Sequence, residues 1–144
     1  AHPKAKLHLA GNKMPKDLME HHATGVQMKG RVKNATSYMR ERQVMVVPLF
    51  SGGGMRVKII EGMAMGKCVI STAIGAEGIG YTDGHDLLLA NSATAMAGII
   101  GSLIEDPARA RTIGLNARQL VLKQYTNDGI VKDLVAFFGS LPEA

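Results

Sequence analysis

Apolar positions along the chain recur with two different spacings. Residues 6–10, 26–29, 44–49, 68–72 and 87–90 form short, dense apolar runs, the pattern of strands. Between the first four runs lie 15–22, 35–42 and 55–65, each holding two to three turns of helix-compatible sequence. Strands alternating with helices predict a mostly parallel sheet covered by helices, which right-handed crossovers turn into a doubly wound α/β layer. The unbroken apolarity of 44–49 predicts a central strand buried on both faces. After residue 90 the strand signal stops. Residues 93–105 and 108–124 carry helical spacing, Asp106-Pro107 breaks them apart, and Tyr125-Thr-Asn-Asp128 predicts the cap of a last helix through Phe138. An open parallel sheet ordinarily begins on its own first strand and phosphate-facing turn, whereas this chain opens on polar residues leading into a mid-sheet strand. The expectation is one α/β domain over residues 1–144, a fragment lacking its first β-α unit.

Composition narrows the function. With 144 residues, 46% of them apolar, and a mean hydropathy of +0.05, the chain is long and apolar enough to bury one core. The lone Cys68 cannot close an internal disulfide. There is no apolar run of about 18 residues to span a bilayer, and the opening Ala-His-Pro-Lys carries no signal core. A cytoplasmic location is expected. The charge of +5 is scattered and aromatics make up only 4%, so the stacking platforms of single-strand nucleic-acid binders are missing. An anionic small ligand suits this charge better. No metal is expected: His21 and His22 are adjacent and cannot share a helix face, and His2, His8 and His85 have no ligand partners at metal-binding spacing. The nine Met residues read as core filler and Cys68, opening an apolar strand, as an inert thiol.

Chemistry concentrates in residues 48–66, where a strand runs into Ser51-Gly-Gly-Gly54 and then a helix. Ligands of open α/β sheets sit beyond the carboxyl ends of the strands, and a glycine turn there lets backbone N–H groups approach an anion at a helix N-terminus. Arg56 and Lys58 fall at the start of that helix, where the macrodipole disfavours cations by about 0.3–1 kcal/mol each unless a negative group lies nearby. Lys58 and Glu61 share a helix face, and the apolar flanks of Glu61 predict a desolvated carboxylate in need of donors. Vicinal hydroxyls would supply them. Glycine backbone and Lys58 for a diphosphate, with Glu61 a turn deeper for a ribose, make a coherent nucleotide site. In the plainer alternative the glycines only turn the chain and Lys58–Glu61 is a surface pair. The stretch 62–68 is one residue short of a Walker loop and lacks its Ser/Thr, so Gly66 reads as a helix C-cap. Residues 52–57 lack the third small residue of a dinucleotide fingerprint, and no acid ends the next strand, which disfavours NAD.

These residues join a wider pattern. Leu9-Ala-Gly11, Val26-Gln-Met-Lys-Gly-Arg-Val32, Val46-Val-Pro48, Gly52-Gly-Gly-Met-Arg-Val-Lys-Ile-Ile-Glu61, Ala64-Met-Gly-Lys-Cys-Val-Ile-Ser-Thr72, Gly75-Ala-Glu-Gly78 and Asn116-Ala-Arg118 resemble the carboxy-terminal, donor-binding half of glycosyltransferase family 4. Those are retaining enzymes of the Rossmann-like GT-B fold that use nucleotide sugars. The branch that builds bacterial surface polysaccharides is the most similar. The resemblance implies that Glu61 binds ribose hydroxyls, that Lys58 and the backbone of Gly53 and Gly54 face the diphosphate and sugar, and that the main chain around Arg31 and Val32 lines the base pocket; Lys58 and Arg56 are the candidate catalytic residues, and Met55 joins the donor-binding set. The family's first glutamate, eight positions before Glu61, is Gly53 here. The resemblance also implies a nucleotide-sugar donor, no metal or other cofactor, and a saccharide or lipid-linked acceptor. That acceptor would be held by an amino-terminal domain absent from this sequence, as would any membrane association. The isolated chain is expected to transfer little or no sugar. Two other readings remain: a sugar-nucleotide epimerase of GT-B fold, for which no matching carboxylate cluster is found, and a non-catalytic anion-binding α/β module.

Overall fold

The computed structural model describes residues 5–20 and 22–140, so the expectations for His2 and His21 lie outside the described residues. The chain divides into two units, Ala1–Arg42 and Gln43–Ala144. In the first, β1 (Leu7–Ala10) pairs in parallel with β2 (Val26–Gly30), Leu7 opposite Val26. The intervening α1 (Lys16–Met19) is a single turn entered through Pro15, shorter than its sequence suggests. α2 (Ala35–Arg40) is capped by Asn34, whose Oδ1 accepts from the Ser37 amide at 2.9 Å. A 2.9 Å hydrogen bond between Tyr38 Oη and His8 Nδ1 ties α2 to β1, and the Arg42 guanidinium lies 4.3 Å above the Tyr38 ring. No described residue of this unit is fully buried.

The second unit holds β3 (Val44–Val47), α3 (Val57–Ala64), β4 (Cys68–Ser71) and β5 (Leu88–Leu89), followed by α4 (Ala93–Glu105), α5 (Pro107–Gln124) and α6 (Asn127–Gly139). Its sheet is parallel in the order β3-β4-β5. The strand buried on both faces is therefore β4 and not β3: all four β4 residues are buried, while those of β3 are half-buried at the sheet's margin. Composition alone did not separate them, since a margin strand packed on its faces is as apolar as a central one. β4 divides two cores. Val69 points to Ile59 and Met63 of α3 and to Ala117 and Val121 of α5. Cys68 and Ile70 point to Met96 and Leu103 of α4 and to Ala110 and Ile113 of α5. Helices on both sides of a parallel layer are the doubly wound arrangement expected.

Glycines set how closely the elements approach. α3 ends in a Schellman motif: Gly66, at φ +72°, donates to Met63 O at 2.9 Å, and Lys67 N donates to Gly62 O at 3.0 Å. Gly114 of α5 lies against that turn. A Cβ on Gly114 would stand 2.9 Å from the Gly66 carbonyl carbon. The helix boundaries at Ser92, Asp106 and Thr126 are each capped by a side-chain oxygen. The methionines are less uniformly core than expected. Met63 and Met96 are buried, but Met19 and Met55 are exposed.

Candidate functional site

Two loops leave the carboxyl edge of the parallel pair β3–β4 and meet beside it. Residues 48–56 follow β3, and the Thr72 hydroxyl of the next loop donates back to Leu49 O, fastening the end of β3 to the end of β4. The Gly75 amide donates to Thr72 Oγ1 at 3.0 Å, and a Cβ on Gly75 would run into Ser71 Oγ, so this turn needs glycine for space. Gly78, at φ +77°, packs on Met55: a Cβ there would lie 3.6 Å from Met55 Cβ. The Gly75-Ala-Glu-Gly78 turn thus supports the glycine loop, with Glu77 exposed. Thr72 is a position whose fastening role no motif in the sequence marks. A hydroxyl residue closing an otherwise apolar buried strand was the available signal.

α3 begins later than its sequence suggests. Arg56 is the N-cap, extended at φ −92° and ψ 91°, and Val57 is the first helical residue. Lys58 therefore lies in the first turn and Arg56 outside it. The N-cap side chain caps nothing, unlike those of α4, α5 and α6, so the first amides of α3 have no side-chain acceptor. The Arg56 guanidinium folds back instead: Nη1 donates to Gly53 O at 2.8 Å. Lys58 Nζ donates to Glu61 Oε2 at 2.6 Å one turn in, on the helix face both were expected to share.

The Glu61 carboxylate is not desolvated, because its side chain keeps 39% of its accessible surface and Lys58 keeps 65%. Its neighbours Ile59, Gly62 and Met63 take the buried stripe of α3, leaving Glu61 on the stripe's margin. The structure brings Gly53, Gly54, Met55, Arg56, Lys58 and Glu61 into one loop-and-helix segment of the second unit. Arg31 and Val32 follow the carboxyl end of β2 in the first unit, Arg31 exposed and Val32 half-buried.

Other candidate groups are structural. Cys68 is fully buried and desolvation pushes its thiol up to about 11, which makes it unreactive. His85 is mostly exposed with Nδ1 3.4 Å from Asp86 Oδ2, and its carbonyl accepts from Asn116 Nδ2 at 2.9 Å. His22 is exposed. Among the described residues no group of three or more His, Cys, Asp or Glu side chains converges on a point, and no helix is long and apolar enough to cross a membrane. A surface recess of about 470 Å³ is lined by His85, Asp106, Arg109 and Asn116 among others, and a second of about 530 Å³ by Gln43, Pro107 and Arg111. Lys58 and Glu61 line neither.

A parallel α/β layer with a glycine loop and an uncapped helix at the carboxyl edge of its strands is the ligand-binding arrangement of open sheets. The family model for glycosyl transferases group 1 matches residues 1–106, and the chain belongs to that family. A 44.6 kDa protein of the cps region of Klebsiella pneumoniae, itself uncharacterized, is 25% identical over 91 residues, 63% of this chain and 24% of that protein. Sucrose-phosphate synthase from Thermosynechococcus elongatus superposes with a TM-score of 0.78 at 25% identity, covering 95% of this chain and 38% of that one. The carboxy-terminal domain of LpcC, a glycosyl transferase group 1 family protein from Francisella tularensis, superposes with a TM-score of 0.64 at 23% identity, covering 72% of this chain and 55% of that one. Anabaena HepE in complex with UDP gives 0.71 at 21% identity over 81% of this chain and 33% of that one, and HepE has also been solved with UDP-glucose. The chain spans about a quarter of the curated relative and between a third and just over half of these solved chains. Its fold is that of the carboxy-terminal halves of GT-B glycosyltransferases.

Proposed function

We propose that these 144 residues are the donor-binding domain of a retaining glycosyltransferase. The enzyme moves a sugar from a nucleotide-diphosphate donor to a glycan or lipid-linked acceptor. The observation that carries this reading is the start of α3: amides without a side-chain cap, a glycine loop in front, and the Lys58–Glu61 pair one turn in. Family membership and the UDP held by HepE support it.

Donor binding exchanges partners within this group. The diphosphate sits over the first amides of α3 and the Gly53–Gly54–Met55 backbone and draws Lys58 Nζ from Glu61. Glu61 then accepts from the ribose hydroxyls. As the glycosidic bond breaks, charge grows on the departing diphosphate, and fixed amides with Lys58 stabilise it without reorganising. The chain spans about a quarter to just over half of its relatives, and the acceptor is held by another part of a longer cytoplasmic enzyme of which this chain is one part. The Klebsiella relative's place in a cps region supports a role in surface polysaccharide synthesis.

The test is a titration of UDP, GDP and ADP against the chain and against Glu61→Ala. One nucleotide is expected to saturate, with Glu61→Ala binding at least about tenfold more weakly, as loss of charge-assisted hydrogen bonds implies. No saturable signal at roughly millimolar nucleotide would end the donor-site reading.

A further inference from the structure

We propose that Arg56 is a positioning residue. Its guanidinium holds the 52–54 loop in the shape that turns the loop's amides toward the donor diphosphate, and residue 52 is glycine to make room for it. The inference rests on the donor-site reading above but concerns how the loop keeps its form.

Three consecutive glycines are the least ordered backbone a chain can present, and here little else restrains them. Gly52 and Gly54 take the left-handed φ values +113° and +83° on either side of Gly53. A Cβ at Gly53 or Gly54 would meet nothing within 4 Å, so neither is wedged in place by packing. Among the described residues no backbone-to-backbone hydrogen bond outside helices and strands reaches 52–54. The contact that does reach the loop is Arg56 Nη1 donating to Gly53 O at 2.8 Å.

The guanidinium is closely seated. Its Nε is shut off from solvent, and a Cβ at Gly52 would stand 2.6 Å from Nη2. A Cβ at Gly52 would therefore push the guanidinium off its seat, and the left-handed φ of residue 52 favours glycine as well. A planar fork can reach Gly53 O with one nitrogen while another rests on Gly52, which a single ammonium cannot do.

The experiment compares the wild-type chain with Arg56→Lys, Gly52→Ala and the double variant, using backbone amide order parameters without ligand and UDP affinity. Wild-type Gly53 and Gly54 are expected near the rigid value of about 0.85, falling below about 0.6 in each variant. UDP binding should weaken about threefold to tenfold in each single variant, the range set by one lost hydrogen bond. The double variant should be no worse than the weaker single, because both substitutions remove the same contact. The thermal midpoint should stay unchanged for Arg56→Lys.

Order parameters unaltered in Arg56→Lys overturn the proposal. So does weakened UDP binding with a loop that stays rigid, which would make the guanidinium a direct donor contact, and so do additive effects in the double variant. If wild type binds no nucleotide, the functional reading fails while the order parameters still decide the clamp.

Discussion

His8 shows how a single side chain couples this protein to pH. Burial, and then the positive charges of Arg42, Lys29 and Lys6, hold its imidazole below the ordinary histidine value of 6.5. The folded state therefore favours neutral His8, which shares a hydrogen bond with Tyr38. Because the unfolded chain takes up its proton first, stability is full above about pH 6.5 and falls as pH drops through that value, levelling off below the lowered folded one. His8→Gln should flatten this slope. Comparing the thermal midpoints of wild type and variant at about pH 8 and about pH 5 checks it, and equal slopes would remove His8 as the cause. At this scale the sequence was readable where spacing alone decides contact. Lys58 and Glu61, three apart on a helix, were bound to meet. The fold-back of Arg56 was not readable, because it depends on two glycine conformations that no residue pattern encodes. The exposure of Glu61 is not legible for a related reason: its apolar neighbours in sequence occupy the buried stripe of a short helix and leave the carboxylate at its margin.

Among the elements, helix ends were legible wherever a side chain caps them. The break between α4 and α5 follows from Asp106 accepting the Arg109 amide and from Pro107 at the first helical position. α3 carries no such signal, since an arginine N-cap is not a helix-start residue, and the helix begins two residues later than the apolar spacing suggests. Two helical glycines separate local propensity from packing. In α4, a Cβ on Gly98 would meet nothing within 4 Å, so Gly98→Ala should stabilise by up to about 1 kcal/mol through helix propensity alone. In α5, Gly114→Ala gains the same propensity but drives a methyl into the Gly66 backbone at the Schellman turn. Overpacking against main chain that cannot yield costs about 1–3 kcal/mol, so the net effect should be a loss. Urea midpoints moving in opposite directions for the two variants are the expected outcome. A stabilised Gly114→Ala would mean that α3 and α5 can separate without cost.

Across the whole molecule, burial is unevenly shared. Every fully buried residue among those described lies in the second unit, where two cores sandwich β4. The first unit has a two-stranded sheet of four- and five-residue strands, and its side chains are at best half-buried. A two-stranded pairing is marginal without a core behind it, and local opening is cheapest where little apolar surface is buried. The sequence foretold the alternation of strands and helices over both units but not this asymmetry, because burial is set by which elements cover one another and not by the apolarity of any run. Val26 to Gly30 reads as a strand as readily as Cys68 to Ser71, yet only the latter is buried along its whole length. Native-state amide exchange should therefore show β4 opening only with global unfolding, and β1 and β2 exchanging through smaller openings that denaturant barely affects. Limited proteolysis should nick within residues 5–42 before it reaches the β4 core. Equal protection of β2 and β4 would show that the first unit opens only when the second unfolds, against the burial difference between them.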